Sequence, residues 1–333
     1  GSNTTGNYNV AMGQDALNAN TTASNNVSVG FRSSMVNTTG ANNVAMGFFA
    51  LNQNTTANDN TAIGRSALTA NTTGSQNTAI GANALDSNTT GSPNTAVGAQ
   101  CLAAATTGVY NTALGYQALD ALTTQSFNVA IGSGALGASN QSANTAIGHN
   151  AAHNASSAAN LVCIGTDAGN AITTGSSNTI VGRNAGTSIT TGTNNSFLGA
   201  GAGSGAANST SNEVILGNSS ISTLRCQTQT ISGLSDQRDK TAIEDLIVGL
   251  DFINTLKPRK FTWAMREPSA NDGKTQTGFI AQELQESVGE NEYLNLVDSY
   301  NDETLHSNMG NLIPVMIKAI QELSAEVQTL KAA

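Results

Sequence analysis

A chain of 333 residues with only 4% aromatic and 11% charged side chains lacks the large apolar and ionic complement of an ordinary globular enzyme. Before residue 232 there is no lysine, and four arginines (Arg32, Arg65, Arg183, Arg225) stand against six acidic residues, so the C-terminal third holds nine of the 13 basic and sixteen of the 22 acidic groups. A net charge of −9 without a basic cluster argues against a nucleic-acid or anionic-membrane surface, and no run of eighteen apolar residues predicts insertion into a membrane.

The N-terminus shows neither a basic nor an apolar leader segment. Asn3-Thr4-Thr5-Gly6 already falls in the register of the repeat that follows, so residue 1 is expected to lie inside a longer protein. Residues 1–217 are built from that repeat. A glycine closes an apolar triplet thirteen times, at Gly13, Gly30, Gly47, Gly64 and onward to Gly217, with a spacing of 17 except for 16 before Gly148 and 18 before Gly217. Asn60-Thr61-Ala62-Ile63-Gly64, then Ala67-Leu68, then Asn71-Thr72-Thr73-Gly74 is a clean copy. Asparagine stands four before the glycine in nearly every copy (Asn9, Asn26, Asn43, Asn60), and asparagine and glycine there are expected to supply turns, since both tolerate left-handed backbone.

Between turns the apolar stretches are too short for helices and alternate like strands. The branched residue before each glycine (Ile63, Ile80, Val97, Leu114, Ile131) points opposite to its alanine neighbour (Ala62, Ala79, Ala96, Ala113, Ala130), so both strand faces are apolar, one large and one small. One narrow coil buries a single face. Three chains side by side bury the other, with one residue set filling each roll and the second packing where the chains meet. Thirteen layers at about 4.8 Å would make a rod of about 60 Å. The region resembles the parallel β-roll repeats of trimeric adhesin heads and phage fibres, which implies a homotrimer. The fold class expected is therefore mainly β, a parallel β-roll or β-solenoid of 17-residue repeats in a homotrimer, followed by a small α+β domain ending in a trimeric coiled coil.

Copies after Gly148 lose the Ala-Leu pair, becoming Ala151-Ala152, Ala168-Gly169, Ala185-Gly186 and Ala202-Gly203, so a slimmer cross-section is expected there. Cys101 and Cys163 occupy positions where alanine is usual and read as buried small apolar residues. The three cysteines, with Cys226, match no metal-ligand spacing, and no metal or cofactor is expected. Residues 218–234, with Ile221, Leu224, Cys226, Thr228 and Thr230, read as an extended neck.

A domain of ordinary mixed composition spans 235–333. Thr241 and Glu244 form a capping-box pattern that predicts a helix carrying Ile243, Leu246, Ile247, Leu250 and Ile253 and ending before Pro258. A strand is predicted at Lys260-Phe261-Thr262-Trp263, a polar loop through Asn271-Asp272-Gly273, and a second helix starting within Gly278–Leu284. Over 311–333, Ile313, Met316, Ile320, Leu323, Val327 and Leu330 are spaced as the a/d seam of a coiled coil.

The stretch Ser235-Asp236-Gln237-Arg238-Asp239-Lys240, the Gly278–Leu284 segment and the terminal heptads together resemble the intramolecular chaperone of endosialidase tailspikes, the peptidase S74 family. The resemblance implies one self-cleavage per chain, with Ser235 as nucleophile and Lys240 as its general base. The Leu234–Ser235 bond is favoured as the scissile one, with Ser235–Asp236 as the alternative. A serine hydroxyl is a weak nucleophile until a neighbour takes its proton, and a lysine does so once burial disfavours its charged form, which would tie cleavage to assembly. His306 reads as a surface or packing residue, and His149 and His153 sit at variable repeat positions.

The function expected is a viral, phage-type tail fibre or tailspike segment, located in the virion. Its C-terminal domain would trimerise the shaft, set its register and release itself. The partners expected are two further copies of the chain and a host-surface glycan or receptor, although few aromatic platforms favour a plain shaft. The nearer rival is a cellular trimeric surface adhesin at the extracellular surface. Thr-Thr pairs at 21, 38, 55, 72, 89, 106, 123, 173 and 190 also raise an ice-binding solenoid, but adjacent strand residues point to opposite faces.

Overall fold

The computed structural model describes residues 2–221, 223–225, 235, 237–264, 273–301 and 304–332, and the chain divides into two compact units, Gly1–Asn218 and Ser219–Ala333. In the first unit, thirteen strands of three or four residues, from β1 (Val10–Met12) through β4 (Thr61–Ile63) to β13 (Val214–Leu216), form one parallel sheet in chain order. Each strand pairs with the next one repeat on: Thr61 lies beside Thr78, Ala62 beside Ala79 and Ile63 beside Ile80. The short and long copies are absorbed in the turns, since Val129 pairs with Thr145 and Ser196 with Val214. The unit is the expected parallel β-solenoid.

The alternation of the strands decides what fills the coil. Ala45, Ala62, Ala79, Ala96 and Ala113 point inward and are fully buried, as are Leu51, Leu68, Leu85, Leu102 and Leu119 from the turn that follows. Burying one such leucine contributes about 1.5–3 kcal/mol. The branched residues before the glycines face outward, Ile63 37% and Leu114 47% exposed, and form an apolar stripe along the sheet.

The repeated asparagines correct the sequence reading. They are not the left-handed turn residues; they are buried rungs. Asn26 Oδ1 accepts the Asn43 N–H at 2.9 Å while its Nδ2 donates to the Gly40 carbonyl at 2.9 Å, and Asn43, Asn60 and Asn77 continue the ladder. A second ladder runs through Asn37, Asn54, Asn71 and Asn88, each amide donating to the one a coil earlier. The left-handed positions lie one residue before the first ladder (Asn42, Asp59) and two and four residues after the glycine (Phe49, Leu51). The stacked coils select asparagine because buried amides must find partners, and an amide in each layer supplies both donor and acceptor. The glycine prediction holds: Gly64 has φ +134°, and a Cβ there would lie 2.4 Å from the Gly81 carbonyl oxygen of the next coil.

In the last coils the room left by the lost leucine is refilled from the strand. At β11 (Thr179–Val181) and β12 (Ser196–Leu198) the inward alanine becomes Ile180 and Phe197, both buried, and the left-handed leucine becomes Gly186 and Gly203. A Cβ on Gly186 would sit 2.6 Å from Ile180 Cδ1, and one on Gly203 would sit 2.5 Å from Phe197 Cδ2. The large side chain has moved from turn to strand, and the glycine makes room for it. Cys101 and Cys163 are fully buried free thiols, as expected, and burial pushes both up to about 12. Of the neck residues, Ile221 and Leu224 are exposed and without regular structure, whereas Cys226, Thr228 and Thr230 lie outside the described residues.

The second unit contains α1 (Leu250–Thr255), β14 (Arg259–Thr262), β15 (Thr275–Gly278), α2 (Ala281–Val288), β16 (Val297–Asn301), β17 (Thr304–Ser307) and α3 (Leu312–Ala332). Helix α1 is much shorter than the capping-box pattern implied. Ala242 adopts φ +50°, which a helix cannot contain, and residues 241–249 run as irregular chain whose Leu246 and Val248 pack on a core of Phe252, Leu294, Leu296, Leu312 and Val315. The predicted strand appears as β14, paired antiparallel with β15, so Gly278 ends a strand and the helix waits until Ala281. Asn271 and Asp272 of the expected loop lie outside the described residues. The β16–β17 hairpin has no counterpart in the sequence reading.

Helix α3 has two working faces. Leu312, Val315 and Ala319 are buried against the unit, while every a/d residue is exposed, from Val327 at 41% to Leu330 at 77%. At 3.6 residues per turn the centres of the two sets lie about 80° apart around the helix, so one can pack at home while the other stays open.

Candidate active site

Within the second unit, Gln237–Asp239 form a single helical turn. The Lys240 N–H closes it on the Gln237 carbonyl at 3.1 Å. This turn brings two side chains five positions apart face to face: Lys240 Nζ donates to Ser235 Oγ at 2.6 Å. Both residues are exposed. The contact is the geometry a serine and an amine need for proton transfer, which runs from hydroxyl to nitrogen only when the amine is neutral. Leu234 and Asp236, the residues flanking Ser235 in the two candidate scissile bonds, lie outside the described residues.

The segment leaving Lys240 is held against α3. Asp245 and Leu246 form one wall of a groove whose other wall is Pro314, Ile317, Lys318 and Gln321. At its end the first residue of α1 is capped from a distance. The Leu250 N–H donates to Glu322 Oε2 at 2.7 Å, while Glu322 Oε1 lies 3.5 Å from Lys318 Nζ. Gly249 offers no side-chain cap of its own, so the α3 carboxylate satisfies an amide that the helix leaves open. Sequence reasoning missed this contact, because 72 residues separate its partners and a lone glutamate in a helical heptad carries no mark of it.

A bidentate pair joins β14 to α2: Arg259 Nε and Nη2 donate to Glu283 at 2.9 and 2.6 Å. The side-chain hydrogen bond from Arg259 holds the Glu283 carboxyl below the usual glutamate range, and the same bond raises Arg259. His306 lies on β17 opposite Asp298. His153 Nδ1 is 2.7 Å from the Gly134 carbonyl oxygen. In the Thr-Thr pairs the first hydroxyl donates to the next coil, as Thr72 Oγ1 does to the Thr89 carbonyl at 3.0 Å, which takes it away from a flat outer face. Two groups of aromatic rings pack together on the shaft: Phe31, Phe48 and Phe49, with the Arg32 guanidinium 5.0 Å from the Phe31 ring, and Tyr110 stacked on Phe127 at 5.4 Å. Among the described residues no helix is long and apolar enough to cross a membrane.

Comparison with the curated proteins gives no match, and neither does comparison with the solved structures. Residues 235–292, which begin at the serine of the Ser235–Lys240 contact and lie C-terminal to a parallel β-solenoid, match the model of the Peptidase_S74 family, the chaperone of endosialidase.

Proposed function

We propose that this chain is the C-terminal part of a phage-type tail fibre or tailspike, whose last domain assembles three copies, aligns the shaft and then detaches by a single autoproteolytic step. An endosialidase-type chaperone domain behind a β-solenoid fits a tail fibre-type protein, and the Peptidase_S74 family is one of self-cleaving chaperone domains. The observation that carries the reading is the 2.6 Å contact between Lys240 Nζ and Ser235 Oγ inside the matched segment. In the reaction, Lys240 removes the Ser235 hydroxyl proton and Oγ attacks the Leu234 carbonyl carbon. The Leu234–Ser235 C–N bond breaks and the proton passes to the Ser235 nitrogen. Water then hydrolyses the ester, leaving a carboxylate on Leu234 and an amine on Ser235. Because Lys240 is exposed in the single chain, assembly that encloses it would favour its neutral form, and cleavage would follow trimerisation.

Two exposed apolar rows support the trimer: the stripe of Ile63, Ile80 and Leu114 along the shaft, and the α3 seam from Ile313 to Leu330. Host attachment through a surface glycan or receptor belongs to the same reading. The exposed, stacked Tyr110 and Phe127 rings are the shaft's candidate contact, and the virion is the location implied. Intact-mass measurement tests the chemistry. The wild-type chain yields two fragments that sum to the whole, while Ser235→Ala and Lys240→Ala stay in one piece; a wild-type chain that persists uncut as a trimer defeats the proposal.

A further inference from the structure

We infer that Glu322 is a positioning residue that couples the assembly helix to the Ser235–Lys240 segment; the inference rests on the autoproteolytic reading above. Three observations meet on it. The segment that leaves Lys240 has no regular structure of its own through residue 249 and takes its course from what it packs on. What it packs on is α3, through Leu246 and Val248 against the Leu312–Val315 core and through the groove between Asp245 and Lys318. The far end of the segment is pinned by one bond, Leu250 N–H to Glu322 Oε2, on the helix whose other face carries the exposed seam.

The bond depends on reach and on space. Glu322 spans the gap with its full side chain, and a Cβ on residue 249 would lie 2.3 Å from Glu322 Oε2, so glycine is what admits the carboxylate. Val315, Ala319 and Glu322, spaced four and three apart, lie on one side of α3. Glu322 therefore fixes the rotation of α3 at the same point where it anchors the segment. When the seam packs against its copies, the helix is held, and through Glu322 so is the chain running back to Lys240. Assembly then steadies a pair that the single chain already brings into contact.

Full-length Glu322→Gln, Glu322→Asp and Gly249→Ala chains, isolated as trimers by size and followed by intact mass beside wild type, test the coupling. Glutamine keeps the reach and an acceptor oxygen, so its cleavage rate stays close to wild type. Aspartate keeps the charge but falls short by one methylene, and the alanine at 249 displaces an unaltered Glu322. Trimers of both cleave slower by about tenfold or more, the cost of a small misplacement of reacting groups. Failure of the aspartate variant alone to trimerise, with glutamine assembling normally, also supports the role, because reach and not charge then sets the seam. Wild-type rates in Glu322→Asp and Gly249→Ala trimers overturn the inference and leave the autoprotease standing; equal failure of all three variants to assemble overturns it as well. An uncut wild-type trimer removes the proposed function itself, and the coupling with it.

Discussion

At the scale of single residues, the second unit sets a few directed contacts around its apolar core. Arg259 and Glu283 illustrate how such a contact responds to pH. The folded carboxyl is held below its ordinary value of 4.5, so the pair stabilises the unit above that value and its contribution is lost as the pH falls through the lower folded value. In thermal unfolding of the wild type beside Glu283→Gln, the gap between the two midpoints is expected to be open at neutral pH and to close below about pH 4.5. A gap that persists into strong acid would mean that Glu283 acts through packing. Legibility at this scale was uneven. Ser235 and Lys240 could be named because the motifs around them are distinctive, and the structure sets them 2.6 Å apart. The buried role of Asn26, Asn43 and Asn60 could not be seen, since turn asparagine and ladder asparagine look alike until coils stack.

At the scale of elements, strands were readable and helices less so. The triplets of the shaft alternate so regularly that the thirteen strands and their pairing follow from the spacing of glycines alone. The α1 prediction failed because apolar spacing at Ile243, Leu246 and Ile247 fits a helix, whereas the segment belongs to a surface on α3 that no local pattern encodes. The exchange at Ile180 and Gly186 is a packing unit that can be tested as one. Ile180→Ala opens a void and is expected to cost about 2–5 kcal/mol. Gly186→Leu drives a side chain into Ile180 and costs about 1–3 kcal/mol. The double variant rebuilds the arrangement of the earlier coils, Ala62 with Leu68, so most of the loss returns, and a coupling of about 0.5–3 kcal/mol is expected from the cycle of unfolding measurements. Strictly additive losses would show that the two positions do not share one space.

At the scale of the whole molecule, the 17-residue repeat announced a layered rod, and the trimer is proposed from exposed rows that one chain leaves open. Layers built on one period allow neighbouring chains to slip by a repeat at little loss, so the shaft specifies its own stagger weakly. In the function proposed, a compact domain at one end would remove that freedom and raise the local concentration of the chains before the rod closes. A chain ended after residue 233 is therefore expected to give aggregates or single subunits in size-exclusion chromatography with light scattering, where the full chain gives trimers. Soluble trimers of the right mass from the shortened chain would show that the shaft aligns itself.

The two thiols sealed inside the coil carry a final consequence. Cys101 and Cys163 have no solvent exposure, and burial holds both in the protonated, unreactive form. Alkylation, oxidation and capture of soft metals at either sulfur must wait until its coil comes apart. An intact rod is thus chemically inert at both positions outside a reducing compartment, and damage at sulfur would be the consequence of unravelling and not its cause.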